Sequence, residues 1–167
     1  MGGWIKELEE RGLSRGNLTG ARLNRANLEW AQLSQSKMMR ANLMGAYLMG
    51  ASLNGANLTS ADLSQARMRS ANLSGAILVG ANLSAADLMK ADLTYADLSN
   101  ADLQSAVLSG ANLIGADLSQ ARNLEAKQLK AAILSPDTKL PRHLQEEEEE
   151  GGEETPKDLD QVLDTFR

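Results

Sequence analysis

Side chains able to do acid–base or covalent chemistry are few in this chain and poorly grouped. His143 is the single histidine, so neither a two-histidine metal site nor a relay between imidazoles can be built. Cysteine is absent, which removes thiolate nucleophiles, disulfides and every Cys-based metal site. Serine and threonine abound, but those of the regular pattern read as solubilising and turn-forming, with no base to activate them. The most regular carboxylate series is Asp87, Asp92, Asp97 and Asp102, five residues apart. The glycines keep the same spacing, and none leads into a helix as a phosphate-cradling loop does. The expectation is a protein that is not an enzyme and holds no cofactor or metal.

The five-residue spacing runs through the body of the chain. Leucine or methionine stands at every fifth position from Leu13 to Leu118, 22 matches in succession, with Met38 and Met68 the two that are not leucine. Alanine stands two residues before each from Ala21 to Ala116, with Ser36 the exception. The residue between is often Asn or Asp, and glycine recurs two residues after the leucine, so the unit is A-(N/D)-L-x-G.

A period of five excludes both regular elements. On an α-helix the leucines would spiral round the rod, and on a straight strand they would alternate between opposite faces. A chain that turns about 90° every five residues keeps all of them inside, closing a square coil every 20 residues. Ala and Leu then point inward, the residue between them points out, and glycine supplies the positive φ of a type II turn at the corner. Coils ~4.8 Å apart would stack residues 11–122 into a rod of roughly 25–27 Å. Aromatics make up 3% of the 167 residues, too few for an ordinary layered core but suited to this narrow one. The four aspartates fall on four different sides of one coil, so they cannot converge on one substrate or ion.

Runs such as ANLSGAILVGANLSAADLMKADLTYADL resemble the pentapeptide-repeat family. The resemblance covers residues 11–122 and implies an all-β, right-handed quadrilateral β-helix. The unbroken repeat is most similar to cyanobacterial members. It also implies two roles: a non-catalytic protein-interaction scaffold, expected here, or the DNA-mimicking binding of DNA gyrase seen in quinolone-resistance relatives. The second wants dense negative charge on one side, whereas residues 11–122 carry ten basic and seven acidic side chains.

An open-ended stack needs covers. Trp4, Ile5 and Leu8 suggest an N-terminal capping helix over residues 1–10, and Leu124 to Leu134 reads as a C-terminal capping helix with Leu129, Ile133, Ala126 and Ala132 inward, ended by Pro136 within a cap and loop spanning 123–141. Residues 142–167 read as an acidic disordered tail with a possible amphipathic helix, since Leu159, Val162, Leu163 and Phe166 follow Thr155 and Pro156 at helical spacing. Left open are docking on the rod, on a second copy or on a partner, and a free tail; the free tail is the expectation for the isolated protein. No apolar run approaches the ~18–20 residues that span a bilayer. The start MGGWIKELEERG lacks the features of a secretory signal, so a cytoplasmic location is expected.

Stacking by 20 lets the surface be read as columns. One carries Asn27, Tyr47, Arg67, Asp87 and Val107, with Glu29, Met49, Arg69, Met89 and Ser109 beside it and Trp30 at its corner. A cation–π contact and an ion pair are expected along Tyr47, Arg67 and Asp87. Trp30, Tyr47, Met49, Arg67, Arg69 and Met89 are the candidate protein-binding residues; a second face with Met39, Ile77 and Val79 is the weaker candidate. Formal charge falls from +3 over residues 11–30 to −3 over 91–110, which would favour head-to-tail association or a polarised partner. The expected state is a monomer or a weak homodimer through the ends. Nucleic acid is not the expected partner, because few aromatics accompany the N-terminal arginines.

Overall fold

Each five-residue unit has five backbone N–H groups to place, and the computed structural model, which describes residues 13–145, shows where they go. In residues 91–95, the Ala91 N–H closes the turn on the Leu88 carbonyl at 3.0 Å. Asp92 N–H reaches back to Ala71 in the preceding coil, while Leu93 and Tyr95 N–H reach forward to Asn112 and Ile114 in the next. The last, on Thr94, donates to Oδ1 of Asp92 at 3.0 Å. Two N–H groups in five therefore point to the following coil and one to the preceding coil.

The corner residue has φ between 54° and 69° in all 22 units from Arg15 to Gln120, as the third residue of a type II turn requires. Fourteen of these corners are not glycine, so inter-coil bonding holds many side chains in a region they ordinarily avoid.

Parallel bridges link each outward middle residue to the one 20 positions on, and these define four faces. Face 1 runs Asn17, Lys37, Asn57, Ile77, Asp97, Asp117; face 2 runs Arg22, Asn42, Asp62, Asn82, Asp102, Arg122. Face 3 runs Asn27, Tyr47, Arg67, Asp87, Val107; face 4 runs Gln32, Ser52, Asn72, Asp92, Asn112. One bridged residue per side is all that a three-residue side allows. Inside, the column from Leu33 to Leu118 and its alanines is buried. Ser36 keeps its place there by donating its hydroxyl to the Leu33 carbonyl at 2.7 Å.

The C-terminal end differs from the sequence expectation. Only Ala126–Leu129, here α1, is α-helical, and the rest of Leu124–Leu134 continues the stack. Asn112 bridges Ile133 and Asp117 bridges Lys139, spacings of 21 and 22 where the body has 20. One-residue insertions at each step explain the change: Leu124, Leu129 and Leu134 resume the five-residue period one place late and are buried, whereas Ile133 falls in the outward middle position and is exposed. A 3-10 turn, Arg142–Leu144, then places Leu144 against the core, so residues 142–145 belong to the rod's end. Gln128 Nε2 donates to the Leu103 and Ala106 carbonyls at 2.8 and 2.9 Å, and Thr138 to the Leu113 carbonyl at 2.9 Å, giving partners to groups the last regular coil leaves over. With this coil included, residues 111–145 sum to +2, so the described C-terminal end is not the acidic pole that the charge gradient implied. At the other end Leu13, Leu18, Leu23 and Ala26 are only partly buried. The capping helix expected over 1–10 and the tail beyond Gln145 lie outside the described residues.

Candidate functional site

The repeat assigns the middle Asn or Asp a task the sequence reading missed. The N–H of the residue two places on lies at the corner where no other coil reaches it, and the Asx side chain accepts it. Asn57 takes both the Thr59 N–H and its hydroxyl, and Asp62, Asn72, Asn82 and Asp92 do the same for Ser64, Ser74, Ser84 and Thr94. The signal was present in the sequence as N/D followed two residues later by Ser or Thr. It also disposes of the carboxylate series. Asp87, Asp92, Asp97 and Asp102 each bond the N–H two residues on, at Met89, Thr94, Ser99 and Gln104, on faces 3, 4, 1 and 2. Among the described residues no cluster of His, Asp or Glu could hold a metal ion.

The bond lapses where the middle residue is not Asn or Asp, at Arg22, Gln32, Lys37, Ser52 and Ile77 on the other faces and at Tyr47, Arg67 and Val107 on face 3, where the first two are adjacent and large. Tyr47 and Arg67 occupy middle positions and accept nothing, so the Met49 and Arg69 N–H groups have no hydrogen-bond partner among the described residues. Above and below, Asn27 and Asp87 keep their bonds to Glu29 and Met89 at 3.1 and 3.2 Å. The Arg67 guanidinium carbon lies 4.9 Å from the centroid of the Tyr47 ring, the expected cation–π contact. The expected ion pair is redistributed: Asp87 pairs with Arg69, Nε to Oδ2 at 2.5 Å, because Arg67 is turned onto Tyr47.

Trp30 is 67% exposed, and its ring lies flat on Gly50 of the next coil, where an added Cβ would fall 2.2 Å from the ring. Met49 is exposed and Met89 half-buried on the same face. All six candidate residues thus share face 3 and its corner. On face 1, Met39 and Ile77 are exposed but are separated by the polar Asn57–Thr59 level.

The shifted carboxyls belong to the rod's end, away from face 3. A hydrogen bond from Asn123 lowers Asp102 below the ordinary aspartate range, against the opposing effect of burial, with help from the Gln104 N–H and Arg122. At Asp117 burial is outweighed by hydrogen bonds from Lys139 and Ser119, so its carboxyl is also lowered, and Lys139 is raised by the same bond. His143 is exposed with Nε2 2.8 Å from the Leu124 carbonyl, beside a shallow groove lined by Ser119, Lys139 and Arg142 but by no carboxylate. Among the described residues no helix is long and apolar enough to cross a membrane.

No curated protein matches the chain. Among solved structures, a pentapeptide repeat protein from the Arabidopsis thaliana thylakoid lumen is 29% identical with a TM-score of 0.56, over 71% of this chain and 78% of that one. Rfr23, a pentapeptide repeat protein from the cyanobacterium Cyanothece 51142, is 32% identical with a TM-score of 0.49, over 59% and 63%. HetL, a pentapeptide repeat protein involved in heterocyst differentiation regulation from the cyanobacterium Nostoc sp. strain PCC 7120, is 35% identical with a TM-score of 0.30, over 77% and 65%. The Arabidopsis likeness carries the right-handed quadrilateral β-helix to the square coils described above. The family model for pentapeptide repeats matches in eight copies, across residues 13–43, 26–65, 66–104 and 86–122, the stretch that carries the bridges and the turns. The chain belongs to the pentapeptide-repeat family.

Proposed function

We propose that this protein is a non-catalytic scaffold of the cytoplasm whose face 3 binds a protein partner, the rod acting as a monomer or a weak end-to-end homodimer. One observation carries the reading. At Tyr47 and Arg67 the rod forgoes its own turn bonds at two successive levels and presents two N–H donors, two guanidiniums, Trp30 and Met49 on one flat surface. Aromatics, Met and Arg are the side chains enriched at the centres of protein interfaces. The DNA-mimicking reading is less well supported, since arginines occupy this face and the aspartates are spread over all four.

The test uses two variants. Tyr47→Asn with Arg67→Asn restores the repeat's own residues, and Ile77→Asn does the same on face 1. Proteins captured from the native cell by the wild type should be lost with the face 3 variant and kept with Ile77→Asn. Equal capture by all three would remove face 3 from consideration. Inhibition of gyrase supercoiling by the purified protein would replace this reading with the DNA-mimicking one.

A further inference from the structure

The open donors on face 3 specify the chemistry of what covers them. Met49 and Arg69 N–H groups lie one coil apart, ~4.8 Å, and where the middle residue is Asn or Asp such a group is met by its side-chain oxygen. Arg67 and Arg69 add positive charge, the second partly offset by Asp87, and Trp30, Met49 and Val107 add apolar surface. An occupant that suits this face is an amphipathic segment with acidic side chains one helical turn apart. The chain itself contains one: Thr155 to Arg167, with Leu159, Val162, Leu163 and Phe166 at helical spacing and Asp160 and Asp164 four residues apart. We propose that this segment docks in cis on face 3, with Asp160 and Asp164 accepting from the Met49 and Arg69 N–H groups and pairing with Arg67 and Arg69. The inference rests on the reading of face 3 as a binding surface and adds its intramolecular occupant, a competitor any partner has to displace.

Length and charge agree with it. Nine residues, 146–154, separate the last described residue from the segment. As a flexible chain they span about 17 Å, and at most ~30 Å fully extended. Arg67 lies three coils from the C-terminal end, ~14 Å along the axis. Thirteen residues in helical form measure ~20 Å, about the length of face 3 from Asn27 to Val107. Residues 146–167 sum to −8 and residues 13–145 to +4.

Because the chain has no cysteine, a single spin label can be placed at will. Labels at Ser109→Cys on face 3 and Val79→Cys on the opposite face 1 are read by NMR in the full-length protein. The expected result is broadening of residues 158–166 by the face 3 label alone, at every protein concentration. Amide exchange at 158–166 should be about tenfold slower than in the Tyr47→Asn, Arg67→Asn variant, the protection that an effective concentration on the order of 1 mM gives to a contact of ~0.1 mM intrinsic Kd. That variant keeps the stack, since each asparagine closes a turn as it does elsewhere, and an unchanged or raised unfolding midpoint checks this. Broadening that grows with concentration assigns the segment to a second copy and overturns docking in cis. Equal broadening from both labels, or none, overturns docking altogether. A partner lost only with the face 3 variant would still uphold the face itself, so the two readings fail separately.

Discussion

Gly50 is constrained twice, by a φ of +64° and by the Trp30 ring lying against its Cα, whereas Gly75 has a φ of +62° and open space where a Cβ would be. The pair separates two costs. Gly75→Ala should destabilise by about 1 kcal/mol, the strain of a left-handed alanine. Gly50→Ala should cost more and shift Trp30 fluorescence toward that of a free indole, because the ring must lift; urea unfolding followed by emission reads both. Deeper in, Leu73 is fully buried with leucines on the coils above and below. Leu73→Ala should cost ~2–5 kcal/mol by chemical denaturation, as buried leucine truncations do. Leu73→Asp buries a carboxylate without a partner and should yield no β-rich circular dichroism signal. At this scale the sequence was most legible: period five put each leucine inside and stacked Arg67 on Tyr47. It did not give the partner of Asp87, because two arginines lay within reach and the Tyr47 ring engages one of them.

The last coil is the element the sequence concealed. Leu124, Leu129 and Leu134 restore the repeat one residue late, but the Ala, Lys and Leu around them also suit a helix, and periodicity alone gives no reason to prefer a displaced coil. What decides is the need of the preceding coil for partners, which Ile133 and Lys139 meet through backbone bonds to Leu113 and Leu118. This coil is also where pH should act. The folded-state pKa values of Asp102 and Asp117 lie below the ordinary 3.8, so their contribution is present above that value and is lost as pH falls through the lower folded values. Lys139 is raised above 10.5, so its contribution is present below that value and is lost as pH rises through the higher one. Protection against amide exchange, the observed rate set against the intrinsic rate at the same pH, should therefore fall at Lys139 and Ile133 below about pH 4 and above about pH 10.5, before it falls at Leu73. An equal loss of protection at all three would show that the end coil has no separate stability.

For the molecule as a whole, net acidity and the five-residue repeat reside in different stretches of chain. Removing residues 146–167 changes the formal charge from −5 to +3, so the isoelectric point should move from 4.9 to above neutrality on a focusing gel. The architecture was legible because one short unit is copied 22 times, each copy repeating the same solution. Face 3 was legible only as a list of unusual residues, since its open N–H groups follow from a bond that the sequence shows by its absence at Tyr47 and Arg67. A last consequence comes from the direction of the inter-coil bonds, two N–H groups forward for each one back. Their peptide dipoles do not cancel: one in five is left uncompensated, adding along the rod with the positive pole at the C-terminal end, the reverse of an α-helix. Arg15, Arg22 and Arg25 then sit at the negative pole, and Asp92, Asp97 and Asp102 lie toward the positive one, whereas residues 111–145 at that pole sum to +2. Side-chain charge thus offsets at the N-terminal end a field that the backbone makes by itself, and leaves it unopposed at the described C-terminal end, where an anion would be favoured as it is at the N-terminus of an α-helix.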